Sequence, residues 1–190
     1  MSLPHALLGL INYKPTTGYN LKLAFNSSIS MFWNASLPQI YRTLHQMEKN
    51  GWVSSSIERQ QDKPNRKVYI LTAKGKKELR DWLGKPAEIP HPKEEFLVKI
   101  FFGNQMNRKD LVRQIKERRE RAVQFLEKSG TEVKPVAEHY ASLTGAKDDV
   151  RFWLLTLDFG RRRAKMIVEW CDSALDVIEK GKSIKKIDLL

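Results

Sequence analysis

Apolar positions first recur at helical spacing in Ala6, Leu7, Leu10 and Ile11, until Pro15-Thr16-Thr17-Gly18 breaks the pattern. Leu21 and Phe25, four apart, predict a second short helix from Tyr19 to Phe25. A third is marked more fully. Ser36 and Gln39 have capping-box spacing, and Pro38 falls in the first turn, where a missing amide proton does no harm. Leu37, Ile40, Tyr41, Leu44 and Met47 then form one apolar stripe, and Gly51 stands where a left-handed cap would end it.

After Gly51 the period drops to two. Val53, Ser55 and Ile57 alternate with Trp52, Ser54 and Ser56, and Lys67-Val68-Tyr69-Ile70-Leu71 reads as the returning strand. Between them, 59–66 is polar and longer than a tight hairpin needs. Thr72 can cap a fourth helix carrying Leu79, Trp82 and Leu83. Pro86, Pro90 and Pro92 remove amide donors and fix φ, which predicts a stiff linker over 85–92. Beyond it no strand signal remains. Helices are expected around Phe96–Phe101, from Asn107 to Gly130, over Val133–Leu143 and from about Lys147 to Lys180, with a tail at 181–190.

In the last of these, Val150, Leu154, Leu157, Arg161, Ala164, Val168, Cys171, Leu175 and Ile178 are spaced alternately four and three, a helix–helix seam held for four heptads. A second apolar line, including Trp153, Gly160, Ile167, Trp170 and Val177, flanks it. Two apolar faces call for two partners: its own domain and a second subunit. The expected dimerisation residues are Val150, Leu154, Leu157, Val168, Trp170, Leu175 and Ile178.

Charge sharpens this reading. The 190 residues carry 34 Lys and Arg against 22 Asp and Glu, a net +12, which favours a polyanionic partner. Residues 1–90 hold 13 basic and 6 acidic side chains, the more skewed half. Three helices and a hairpin with this charge are the layout of a winged helix, whose third helix enters the major groove while the hairpin lies over a neighbouring backbone. The candidate DNA contacts are Ser36, Gln39, Tyr41, Arg42 and Thr43 on that helix and Lys63, Asn65, Arg66 and Lys67 on the wing; Gln46 shares the helix face. Arg and Gln suit guanine and adenine edges, and Lys suits phosphates. A solvated helix face would show the same polar residues, so the wing's basic cluster carries the distinction.

Thr17-Gly18-Tyr19, Phe32-Trp33, Ala35-Ser36-x-x-Gln39-Ile40-Tyr41-Arg42-x-Leu44, Gly51 and Asp62-Lys63-Pro64-x-Arg66-Lys67-Val68-Tyr69-x-Leu71-Thr72-x-x-Gly75 resemble the PadR family of bacterial transcription regulators. The resemblance covers about residues 3–84. Arg42 after Tyr41, with Gly160 and Trp170, is similar to the branch with a virulence-activator type C-terminal helical domain. It implies a winged helix plus a helical dimerisation domain, a homodimer on operator DNA, and in many members a response to a small molecule, often phenolic or drug-like.

The expected fold is mainly α with a small β wing: a winged helix-turn-helix domain over 1–84 and a helical dimerisation domain over 93–180. Two copies should read an inverted repeat. Rival readings are a protein- or RNA-binding module, or a small-molecule-binding dimer without operator specificity. Arg161 on the seam needs an acidic partner or a water route, with Asp158, Asp148 and Glu169 as candidates. Trp153, Trp170, Phe96 and Phe101 could line an effector pocket, but aromatics at helical spacing are more often core. The lone Cys171 excludes an intramolecular disulfide, and its seam position favours an inert thiol. The four histidines lack metal-ligand spacing, and no nucleophile or paired-carboxylate pattern stands out, so neither metal, cofactor nor enzymatic activity is expected. No apolar run approaches a membrane span and the start lacks a secretory layout, so a soluble, cytoplasmic, nucleoid-associated protein is expected.

Overall fold

A computed structural model describes residues 3–29, 33–59, 65–87, 93–131 and 133–180. The chain divides into two compact units, one of residues 1–88 with 142–146, the other of 89–141 with 147–190.

In the first unit the elements run α1 (Leu3–Tyr13), β1 (Thr16–Thr17), α2 (Gly18–Ser27), α3 (Leu37–Lys49), β2 (Val53–Glu58), β3 (Arg66–Leu71) and α4 (Ala73–Leu83). The helix starts follow from local chemistry. Thr17, Ser36 and Thr72 each accept an amide hydrogen bond from the residue three positions on, satisfying donors that a helix leaves free. Gly51, at φ 72°, takes the left-handed turn after α3. The strands form an antiparallel sheet in the order β1-β3-β2, with Val53 opposite Leu71 and Glu58 opposite Arg66. The segment read only as a helix break contributes β1, where Thr16 and Thr17 pair with Tyr69 and Val68. Alternation is too short over two residues to signal a strand. Leu7, Leu8, Leu21, Phe25, Ile40, Leu44, Met47 and Val53 are sealed in one core under the sheet. Each large side chain so buried contributes about 1.5–3 kcal/mol.

The second unit holds α5 (Glu95–Phe101), α6 (Arg108–Thr131), α7 (Val133–Thr144) up to residue 141 and α8 (Val150–Lys180), with 3-10 turns at Gly103–Gln105 and Lys147–Asp149. Its frame is an α6–α8 pair. Ile115, Ala122 and Ser129 on α6 and Leu157, Ala164 and Cys171 on α8 are buried at seven-residue intervals. Arg161 donates to the Leu126 carbonyl and the Ser129 hydroxyl (2.9 and 2.7 Å), and Arg119 pairs with Asp172 at 2.6 Å. Arg108 reaches the Ile178 and Glu179 carbonyls. These links make the pair antiparallel.

Within the chain α6 therefore covers the Leu157, Ala164 and Cys171 rungs of the heptad seam. Leu157 is buried, and Val150, Leu154, Val168, Trp170, Leu175 and Ile178 are half-buried in the single chain. Among the described residues, a further apolar line on α8 is left open: Phe152, Leu155, Phe159 and Met166 are each more than half exposed. Arg161 meets neutral oxygens rather than an acid, while Asp158 pairs with Arg162 at 2.7 Å. The aromatics fall into separate contacts rather than one pocket: Phe96 with Trp170, Trp153 with Tyr140, and Phe101 with Phe102.

Candidate nucleic-acid interface

The stripe that buries α3 also decides what it exposes. With Ile40, Leu44 and Met47 sealed in the core, Gln39, Arg42, Gln46 and Lys49 fall on one exposed line, three and four residues apart. Arg42 makes no ion pair among the described residues and is free to meet an anion.

The other helix candidates are partly committed. Ser36 Nα donates to Gln39 Oε1 at 2.8 Å, and Gln39 Nα donates to Ser36 Oγ at 3.4 Å. The closed capping box leaves Gln39 only its NH2 group, so the paired donor and acceptor that adenine readout requires are not both available. Thr43 is half-buried and its hydroxyl donates to the Gln39 carbonyl at 2.8 Å. Tyr41, 45% exposed, lies against Gly18: a Cβ there would come within 2.4 Å of its ring. This contact accounts for glycine in the Thr17-Gly18-Tyr19 motif. Lys22 ties α2 to the approach to α3, donating to the Ala35 carbonyl at 2.6 Å.

On the wing, Lys63 lies outside the described residues. Asn65 and Arg66 are exposed where β3 begins, Arg66 opposite Glu58 on β2. Lys67 is not the free phosphate-seeking group expected of it. Its ammonium donates to Glu48 Oε2 at 2.8 Å and sits 5.3 Å from the centre of the Tyr69 ring. The second oxygen of Glu48 accepts from the Ser55 hydroxyl at 2.5 Å. Together the Lys67 ammonium and the Ser55 hydroxyl hold the Glu48 carboxyl below the usual carboxylate range, and the bond to Glu48 holds the Lys67 ammonium above its ordinary pKa. Glu48 and Ser55 were missed in the sequence because they meet only through strand register. One hint was present: an acid in the last turn of a helix opposes the dipole, so it needs a partner from elsewhere.

Among the described residues no cluster of His, Cys, Asp or Glu could hold a metal ion, and no helix is long and apolar enough to cross a membrane. A third helix with a polar exposed line, flanked by a basic two-stranded wing and joined to a helical unit, is the architecture of a winged-helix transcriptional regulator.

The sequence matches the transcriptional regulator PadR-like family over residues 7–81 and the virulence activator alpha C-terminal family over 92–179. Residues 7–81 are thus a PadR-like transcriptional-regulator domain, followed over 92–179 by a virulence-activator type C-terminal domain. It is 40% identical over 92 residues to a probable transcriptional regulator of Mycobacterium tuberculosis, Rv1176c, a match spanning 48% of this chain and 49% of that relative. It is 29% identical to the negative transcriptional regulator PadR of Bacillus subtilis, covering 94% of this chain and 98% of that one. The crystal structure of Bacillus subtilis PadR with operator DNA superposes with a TM-score of 0.75 at 27% identity, over 94% of this chain and 99% of that one. The same protein has been solved with p-coumaric acid (TM-score 0.69, 27% identity, 94% and 99% coverage). The virulence activator AphA of Vibrio cholerae matches with a TM-score of 0.74 at 25% identity, over 95% of this chain and 100% of AphA.

Proposed function

We propose that the protein regulates transcription as a homodimer that binds an inverted-repeat operator, each copy placing α3 in one major groove and its wing along the adjoining backbone. The observation that carries this reading is the exposed Gln39–Arg42–Gln46–Lys49 line on the third helix of a winged helix, together with its likeness to a relative solved on operator DNA. In this reading residues 1–84 bind DNA and 93–180 dimerise. Arg42 and Gln46 face base edges, Tyr41 and Thr43 shape the surface around them, and Ser36 and Gln39 mainly fix the helix start. Arg66, Asn65 and Lys63 meet phosphates. Affinity comes mostly from phosphate neutralisation and specificity from the few side chains at base edges.

The protein acts by binding rather than catalysis, in the cytoplasm where its operator is. The complex of Bacillus subtilis PadR with p-coumaric acid supports a small-molecule effector here as well. The testing experiment is selection of bound fragments from genomic DNA by the full chain at stated salt. An inverted repeat with half-sites about 34–36 Å apart is expected, with affinity falling linearly in log–log salt. Binding indifferent to both salt and sequence would turn the reading towards a protein-interaction dimer.

A further inference from the structure

We propose that Glu48 is a specificity-setting residue that never touches DNA: it pins the wing to α3 and withholds Lys67 from phosphates. The inference rests on the operator-binding reading above and adds to it the device that sets the relative pose of its two contact surfaces.

The geometry is that of a three-way clip. Glu48 stands in the last turn of α3, Ser55 on β2 and Lys67 on β3. One carboxylate oxygen takes the Ser55 hydroxyl and the other takes the Lys67 ammonium, so one side chain holds both wing strands to the helix. Register makes this possible. Ser55 pairs with Tyr69 and Ile57 with Lys67, and alternate residues share a face, so Ser55, Lys67 and Tyr69 all stand on the face that carries buried Val53. Lys67 lies over Tyr69, which limits where its ammonium can go.

A carboxylate beside a phosphate-binding surface costs affinity for every DNA sequence alike, by repulsion and by occupying a lysine. In return a wing fixed against α3 lets phosphate contacts form only when the helix is in register with its bases. Specificity is a difference of affinities: the uniform electrostatic cost cancels in it, whereas a fixed wing that makes its phosphate contacts only at in-register sites raises it. Arg42, Arg66 and Arg59 remain exposed without ion pairs among the described residues, so positive charge for binding is retained.

The test uses the full-length protein and measures binding to its selected operator and to random duplex DNA across a salt series. Glu48→Gln should bind random DNA more tightly, steepen the log–log salt slope by about 0.9 per subunit as Lys67 is released, and lower the operator-to-random ratio about five-fold. Lys67→Gln breaks the same clip without releasing a cation, so the ratio should fall similarly while random-DNA affinity does not rise. The charge exchange Glu48→Lys with Lys67→Glu keeps net charge and restores an ion pair, and should recover most of the ratio. Equal losses on operator and random DNA in Glu48→Gln, with an unchanged slope, would overturn the proposal and leave Glu48 a support of the fold. So would failure of the exchanged pair to recover specificity while unfolding as cooperatively as wild type. A wild-type protein without salt-dependent DNA binding would instead remove the operator-binding reading itself, and this inference with it.

Discussion

A Cβ on Gly75 would stand 2.0 Å from the carbonyl oxygen of Trp52. That oxygen already accepts from Thr72 Nα at 3.1 Å and Thr72 Oγ1 at 3.0 Å, while Thr72 Oγ1 also caps α4 through Gly75 Nα. The first turn of α4 is thus fastened to the chain just after α3, and only a residue without a side chain fits the junction. Gly75→Ala should destabilise the protein by about 1–3 kcal/mol or more, because backbone rather than a side-chain tip must move. Gly18→Ala should cost less, since the group it meets is the half-exposed ring of Tyr41. Chemical denaturation of the two variants checks the order.

Arg42 should matter more for operator recognition than Gln39. Arg42 is exposed and unpaired among the described residues, whereas Gln39 spends its carbonyl oxygen on the capping box. Arg42→Ala is expected to cost about 1–3 kcal/mol on the operator. Gln39→Ala should instead lower stability by roughly 0.3–1.5 kcal/mol through loss of reciprocal capping, with a smaller change in operator discrimination. Melting curves beside binding isotherms separate the two effects.

The Glu48 clip should also be visible in acid. Its carboxyl is held below its ordinary value of 4.5 by Lys67 first and Ser55 second. A depressed folded-state pKa gives stability that is complete above the ordinary value and is lost as pH falls through the lowered one. The stability difference between wild type and Glu48→Gln should therefore be constant near neutrality and shrink below about pH 4. A gap that widened on acidification would contradict the assigned charge state.

Cys171 is fully buried on the α6–α8 seam, and burial pushes its thiol pKa up. The native protein should therefore react with thiol reagents only as fast as the helix pair opens. Denaturant should restore ordinary reactivity.

Much of the first unit was legible because its signals are local. The Ser36–Gln39 box, the Ile40–Leu44–Met47 stripe and left-handed Gly51 each lie within a few residues of what they determine. The Lys67–Glu48 pair is not legible in the sequence because the two lie 19 positions apart and are brought close only by strand pairing. The α8 seam is legible as a seam, and the structure adds that α6 covers its Leu157, Ala164 and Cys171 rungs. Periodicity tells how a helix wants to be covered, not by which neighbour, and of the α6 rungs Ile115, Ala122 and Ser129 the last is polar and carries no hydrophobic signal.

The burial of Leu157 against α6 bears on which substitutions should separate the subunits of the proposed homodimer. Leu157 is 8% exposed in the single chain, whereas Leu155 and Phe159 are 63% and 71% exposed four positions apart on α8, in line with Phe152. An apolar stripe that the described residues of its own unit leave exposed is a natural contact for the second copy of the proposed homodimer. Leu157→Asp puts an unpaired charge inside the α6–α8 pair, so it should cost several kcal/mol and unfold the second unit. Leu155→Asp with Phe159→Asp alters only exposed positions, so melting of the single chain should change little. In sedimentation this double variant should run as a monomer. It should also bind a two-site operator about 10²–10⁴-fold more weakly, because the second half-site contact is no longer intramolecular. Each half-site taken alone should be bound as before. A double variant that remained a tight dimer would place the subunit contact elsewhere, and the exposed Phe101–Phe102 pair at the end of α5 would be the next surface to alter.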